Sequence, residues 1–155
     1  TGCDLLADPT RIDLYGTPTL LMHGDLLCTD DWAYQRFRRI IRHPLVKRLF
    51  LWRRLERRRA LAQDYRRRSM AAIAGKSLAI MDVNPDAVLA TLRRQDARCL
   101  IHGHTHRPAD HALSLDGQPA HRLVLAEWRE GRGEALMVSP SGWSRLALGS
   151  ASDHT

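Results

Sequence analysis

The chain has 155 residues, 44% apolar and 26% charged, which is room for one domain with its own core and outside the range of disordered chains. A net charge of +7 points to an anionic partner, such as a nucleic acid, an anionic membrane surface or a phosphorylated substrate, without separating them. No apolar run reaches the ~18 residues of a spanning helix, which excludes a helical membrane span within these residues.

The charge is unevenly spread. Between Arg36 and Arg68 stand fourteen Arg or Lys against two acids, Glu56 and Asp64, a local +12 in a chain whose total is +7, so the remaining residues sum to −5. Cys3, Cys28 and Cys99 are odd in number and lack C-x-x-C spacing, which argues for reduced thiols and an intracellular setting. The chain begins at Thr1 and not at Met, so a preceding signal or domain lies outside what it can show.

Arg11 to Tyr15, Gly16-Thr17-Pro18 and Thr19 to Met22 predict strand, tight turn and strand, a hairpin whose second arm runs into His23-Gly24-Asp25. Gly24 allows a sharp bend directly after His23. A loop at a strand's carboxyl end is where α/β sheets place their ligands. A histidine that only hydrogen-bonds at a sheet edge explains His23 equally well at this point.

From Asp31 to Lys76 the chain reads as mostly helical, capped by Thr29 or Asp30. Trp32, Phe37, Ile40, Ile41 and Leu45 recur near a 3.6 spacing, with a break at His43-Pro44. Leu49, Phe50, Trp52 and Leu55 follow, then Arg57 to Leu61. Apolar and arginine faces alternate along these helices. Three readings stay open: a solvated basic face, an interfacial membrane helix, and an arginine-rich RNA-binding helix. The Trp and Phe content puts the membrane reading above the RNA reading, because aromatic and basic residues together suit a headgroup layer. Arg66, Arg67, Arg68, Ser69 and Lys76 supply the groups of a phosphate clamp, with Ser69, Ile73 and Lys76 on one helix face, although an ordinary surface has the same spacing.

Asn84 as N-cap and Pro85 at the first helical position predict a helix over Asp86 to Arg94, with Val88, Leu89 and Leu92 inward. Arg98 to Ile101 then reads as a buried strand entering Gly103-His104-Thr105-His106, the helix, strand and turn order of a βαβ unit. Afterwards the period becomes two. Strands are expected at Ala112 to Leu115, Arg122 to Leu125, Glu134 to Val138 and Ser144 to Leu148, separated by Asp116-Gly117, Gly131-Arg132-Gly133 and Pro140-Ser141-Gly142. The tail from Ser150 to Thr155 is expected to be disordered.

His104 and His106, two apart, would put two imidazoles on one side of an extended backbone and aim both at one point. An isolated H-x-H is as readily a hydrogen-bonded loop, and the second histidine turn at His23 is what makes a metal site worth weighing. Neutral imidazole suits zinc, manganese, iron and nickel alike, so the ligands do not choose the metal. Three nitrogen donors are half of a two-metal phosphoesterase centre, which also needs carboxylates between ions ~3.5–4 Å apart.

G-H-x-H at Gly103 to His106, with H-G-D at His23 to Asp25, resembles the second half of the calcineurin-like metallophosphoesterase signature. The blocks His23 to Asp31, Lys76 to Asn84 and Leu100 to Pro108 look more specifically like the bacterial UDP-2,3-diacylglucosamine diphosphatases of lipid A biosynthesis, over about Leu14 to Val138. The resemblance implies an α/β fold, the C-terminal part of a calcineurin-like β-sandwich flanked by helices with a helical lid inserted. It implies sheet strands and the metal loop in 1–28, the lid in 29–81, the C-terminal sheet part in 82–149 and a tail in 150–155. It makes His23, His104 and His106 ligands of Mn²⁺, two ions per site. His104 is also the candidate catalytic residue, and Asp31, Ser69, Lys76 and His104 match positions that contact the sugar and phosphates.

The implied reaction is attack at the α-phosphorus of UDP-2,3-diacylglucosamine to give lipid X and UMP. The implied setting is peripheral, on the cytoplasmic face of the inner membrane through the lid, with no nucleic-acid partner. Ile73 departs from the usual Asn. No D-x-H and no G-N occurs, and the single G-D, Gly24-Asp25, belongs to the H-G-D turn. An N-terminal part carrying the bridging carboxylate is therefore expected to be missing, and the chain alone is expected to be inactive and to bind metal weakly. Two other classes stay in view: a general calcineurin-like phosphoesterase with another substrate, and a non-catalytic arginine-rich nucleic-acid-binding module, whose binding would be strongly salt-sensitive.

Overall fold

The computed structural model describes residues 2–74 and 82–149, with the side chains of 71–74 left aside. Lys76 and the Ser150 to Thr155 tail lie outside the described residues. Contacts divide the chain into two units, one made of the residues up to Leu27 with those from Asn84 onward, and one of Cys28–Val83.

In the first unit, β1 (Thr10–Leu14) and β2 (Thr17–Met22) form the expected antiparallel hairpin, paired from Thr10↔Leu21 to Leu14↔Thr17. The turn is Tyr15-Gly16, not Gly16-Thr17-Pro18. Both turn residues have positive φ, 54° and 82°, the two-residue geometry whose twist matches that of the flanking strands. The Asp13 carboxylate fastens the turn by accepting from the Gly16 N–H at 2.7 Å. Pro18 thus sits inside β2, and Thr17 begins it.

Helix α4 (Pro85–Arg94) starts as its sequence dictates: Asn84 accepts from the Ala87 N–H at 3.0 Å, and Pro85 occupies the first turn, where no N–H is needed. It buries Val88, Thr91 and Leu92; Leu89 is only partly covered, and Thr91 takes the inward place expected of it. The chain then enters β3 (Cys99–His102), buried at all four positions. A tight turn at Asp116-Gly117, again with positive φ at both residues, joins β4 (Ala109–Leu115) to β5 (Gln118–Val124). Both strands are longer than the period-two pattern predicts, because their ends pair through backbone groups whatever the side chain.

The sheet order is β1-β2-β3-β5-β4, with β3 parallel to both β2 and β5, and β1 and β4 antiparallel at the edges. This is a mixed α/β sheet. The register sets Leu21 beside Ile101 and Ile101 beside Leu123, so these side chains share a face. A second hairpin, β6 (Gly133–Ser139) and β7 (Gly142–Leu148), packs on that face, with Leu136 against the buried cluster of Cys99, Ile101 and Leu123. Arg145 anchors the hairpin: its guanidinium donates to Asp110, Glu134, the Ala109 carbonyl and the Val124 carbonyl, while the Trp143 indole N–H donates to Asp110 at 3.0 Å. Cys3, Cys28 and Cys99 form no disulfide, and burial pushes the Cys99 thiol up.

The second unit is helical: α1 (Trp32–Arg42), α2 (Pro44–Leu51) and α3 (Leu55–Ala74). Asp31 caps α1 by accepting from the Tyr34 N–H at 3.1 Å, so the cap lies one or two residues later than Thr29 or Asp30. The His43-Pro44 break is present, and His43 caps α2 through Nδ1. A further break at Trp52 to Arg54 had no proline to announce it. Phe37 and Tyr65 stack with ring centroids 4.2 Å apart and join α1 to α3. No helix among the described residues is long and apolar enough to cross a membrane.

Candidate metal centre

The three parallel strands β2, β3 and β5 end at one edge of the sheet, and their carboxyl ends carry the site. Met22↔His102 and His102↔Val124 are the last register pairs, so the residues that follow each strand emerge side by side. These are His23 after β2, Gly103 to His106 after β3, and Leu125 to Glu127 after β5. Backbone hydrogen bonds knit the three exits: the Gly103 N–H donates to the His23 carbonyl at 3.1 Å and the Leu125 N–H to the His102 carbonyl at 2.7 Å.

His23 and His104 come together, with ring centroids 4.9 Å apart and planes tilted by 55°. Asp25, fully buried in the 3-10 turn Asp25–Leu27, places Oδ1 3.3 Å from His23 Nδ1. His106 turns to Glu127 instead, with Nδ1 3.1 Å from Oε1. The extended H-x-H geometry is therefore corrected. His104 and His106 both adopt left-handed backbone, φ 70° and 55°, so the alternation that would align their rings is broken. Non-glycine residues held at positive φ cost energy and concentrate at functional sites. Here two occur in one four-residue turn.

His106 thus presents Nδ1 to a carboxylate, the arrangement that fixes an imidazole's tautomer and leaves Nε2 for a ligand, while His23 has Asp25 beside its Nδ1. Arg129, and after it His106, hold the Glu127 carboxyl below the usual carboxylate range. The donor chemistry fits a divalent cation at the His23–His104 pair. It does not complete a site, because among the described residues no group of three or more His, Cys, Asp or Glu side chains is arranged to hold a metal.

Of the remaining sequence candidates, Asp31 is buried and spends a carboxylate oxygen on the α1 cap, and Ser69 lies part-buried in α3. Both belong to the second unit. Lys76 falls outside the described residues. Sequence reading missed Glu127 and His102. An acid just beyond an apolar strand was the available signal for Glu127, but its value depends on β5 lying parallel to β3, which spacing does not reveal.

No family model matches the chain. Among curated proteins, it is 52% identical over 143 residues to the UDP-2,3-diacylglucosamine hydrolase of Nitrosococcus oceani, a match covering 92% of this chain and 57% of that protein. It is 50% identical over 141 residues to the hydrolase of the same name from Pseudomonas aeruginosa PAO1, covering 91% and 58%. With that of Aeromonas salmonicida it shares 53% over 146 residues, covering 94% and 57%. The chain is homologous to these hydrolases over nearly its whole length and spans somewhat more than half of theirs.

Proposed function

We propose that this homologue of the UDP-2,3-diacylglucosamine hydrolases is part of such an enzyme, and that it carries the histidine wall of a two-metal centre of the calcineurin-like kind. The observation that carries the proposal is the pairing of His23 with His104 at the carboxyl ends of parallel strands, each turn matching a family block. We assign the sheet and its packed hairpin to the C-terminal part of the family's β-sandwich, and the helical segment, which we bound at 29–81, to its lid.

In this reading the reaction is hydrolysis of UDP-2,3-diacylglucosamine at the α-phosphorus, giving UMP and lipid X. When bound, Mn²⁺, two ions in the complete centre, would supply a nucleophile from water at neutral pH and offset charge on the phosphoryl oxygens. His23, His104 and His106 are the ligands that this chain contributes. Glu127 orients His106 by holding Nδ1, and buried Asp25 lies beside the His23 ring. His104, part-buried beside His23, also reaches the substrate phosphate and stabilises the charge that develops there. Asp31, Ser69 and Lys76 bind the sugar and phosphates, with Ile73 removing one polar contact. The centre needs a bridging carboxylate that no family block in these 155 residues supplies, so we expect the chain alone to turn over no substrate.

Exposed Leu45, Leu49, Leu51 and Trp52, beside Arg48, Arg53 and Arg54, support a lid that rests on the cytoplasmic face of the inner membrane.

The test joins these residues to the portion of the Pseudomonas aeruginosa relative that they do not span, and follows hydrolysis in ¹⁸O-water with Mn²⁺. Label in UMP supports attack at the α-phosphorus. Label in lipid X, or no turnover by the folded protein, contradicts it.

A further inference from the structure

His102 is fully buried at the end of β3, between the two histidine turns, and the chemistry above gives it no part. Its Nδ1 lies 2.8 Å from the Gly103 carbonyl oxygen. Its Nε2 lies 3.4 Å from Arg122 Nη1, and a guanidinium only donates. Nε2 is therefore the acceptor and Nδ1 carries the proton, the neutral tautomer in which the ring donates to Gly103. That carbonyl belongs to the Gly103–His104 peptide, whose orientation sets the φ of 70° at His104. The same peptide-bearing residue donates its N–H to the His23 carbonyl.

The ring also shapes the other turn. A Cβ on Gly24 would stand 2.7 Å from His102 Nδ1 and 3.1 Å from the Gly103 oxygen, and Gly24 has φ 109°. The glycine of H-G-D is thus required by a side chain of the distant Leu100 to Pro108 block as well as by its own backbone.

We propose that His102 is a positioning residue: its imidazole holds the Gly103–His104 peptide and the Gly24 bend, and so sets His23 and His104 at their mutual distance. This rests on the reading of those two histidines as ligands. Exposed loops do not keep two left-handed non-glycine residues in one register unless the surroundings impose it. A buried ring hydrogen-bonded on both nitrogens is such a constraint.

Three measurements decide it. Long-range ¹H–¹⁵N spectra of the 155-residue chain should show His102 as the Nδ1–H tautomer, and an Nε2–H ring or an even mixture overturns the proposal. His102→Leu should speed exchange of the Gly103 amide about tenfold, and His102→Asn, whose amide nitrogen replaces Nδ1, should stay within about threefold of the parent. Equal exchange in parent and Leu variant overturns it. Gly24→Ala reaches the same contact from the other side and should loosen the same amide; an unchanged amide there also overturns it, and this variant decides the matter should the Leu variant fail to fold.

In the completed protein the Leu variant should bind Mn²⁺ about tenfold more weakly and the Asn variant close to normally, and equal affinity in all three counts against it. Failure of the completed parent to bind Mn²⁺ would defeat the reading of the site under the proposed function, while the tautomer and the Gly103 exchange would still decide the role of His102.

Discussion

His23 and His104, from turns separated by the whole helical unit in sequence, meet with ring centroids 4.9 Å apart. The parallel pairing of β2 with β3 brings them together, since Met22 and His102 are opposite each other at the last register position. A site assembled this way depends on the sheet, and changes to either histidine should be felt in chemistry far more than in folding.

In the completed enzyme, His104→Ala should lower kcat by about a hundredfold or more while leaving the melting temperature within a few degrees, because the side chain is only part-buried. Steady-state kinetics beside a thermal melt checks both halves of this statement, and near-normal turnover would remove His104 from the site.

Asp31 has two candidate roles that one substitution separates. Serine caps a helix about as well as aspartate but carries no charge, so Asp31→Ser should keep α1 within about 0.5 kcal/mol of its parent stability. KM for UDP-2,3-diacylglucosamine should rise about tenfold if the carboxylate also binds the sugar or phosphates. An unchanged KM would leave Asp31 as a cap alone.

Part of the acid sensitivity should reside in the clamp on the second hairpin. Arg145 first, and Trp143 after it, hold the Asp110 carboxyl below the usual aspartate range. The folded state therefore binds this proton more weakly than the unfolded chain. The contribution is fully present above the unfolded value of about 3.9 and is lost as pH falls through the lower folded value. Asp110→Asn should flatten the acid limb of a stability profile measured by denaturant melts at stepped pH. Arg145→Met, which strips four acceptors of their donor, should cost about 2 kcal/mol at neutral pH.

The helical unit should bind anionic vesicles through charge and apolar surface together. Trp52→Ser with Leu49→Ser should weaken cosedimentation with phosphatidylglycerol vesicles about tenfold, a loss that charge alone would not produce. Binding to single-stranded RNA that exceeds vesicle binding and ignores these substitutions would favour the nucleic-acid reading of the arginines.

Local signals were legible where local physics decides. Asn84-Pro85 announces α4, His43-Pro44 breaks α1 from α2, and Asp116-Gly117 turns β4 into β5, because caps, prolines and positive-φ residues act within a few positions. The turn at Tyr15-Gly16 was misplaced by a residue, since tyrosine at φ 54° runs against its preference and only strand pairing selects it. The relationships that build the site are of another kind. Glu127 reaches His106 through strand order, and His102 is enclosed through Gly24 on a distant turn, so neither is carried by neighbouring residues. The positive φ at His104 and His106, whose rings turn to different partners, is likewise a backbone state that residue type does not announce.

The most direct measurement is release of UMP from UDP-2,3-diacylglucosamine by the completed protein, first stripped with EDTA and then resupplied with Mn²⁺. The account predicts UMP release that vanishes on stripping and returns with the metal, while the 155-residue chain alone releases none. UMP release indifferent to EDTA, or robust turnover by the chain alone, would contradict it.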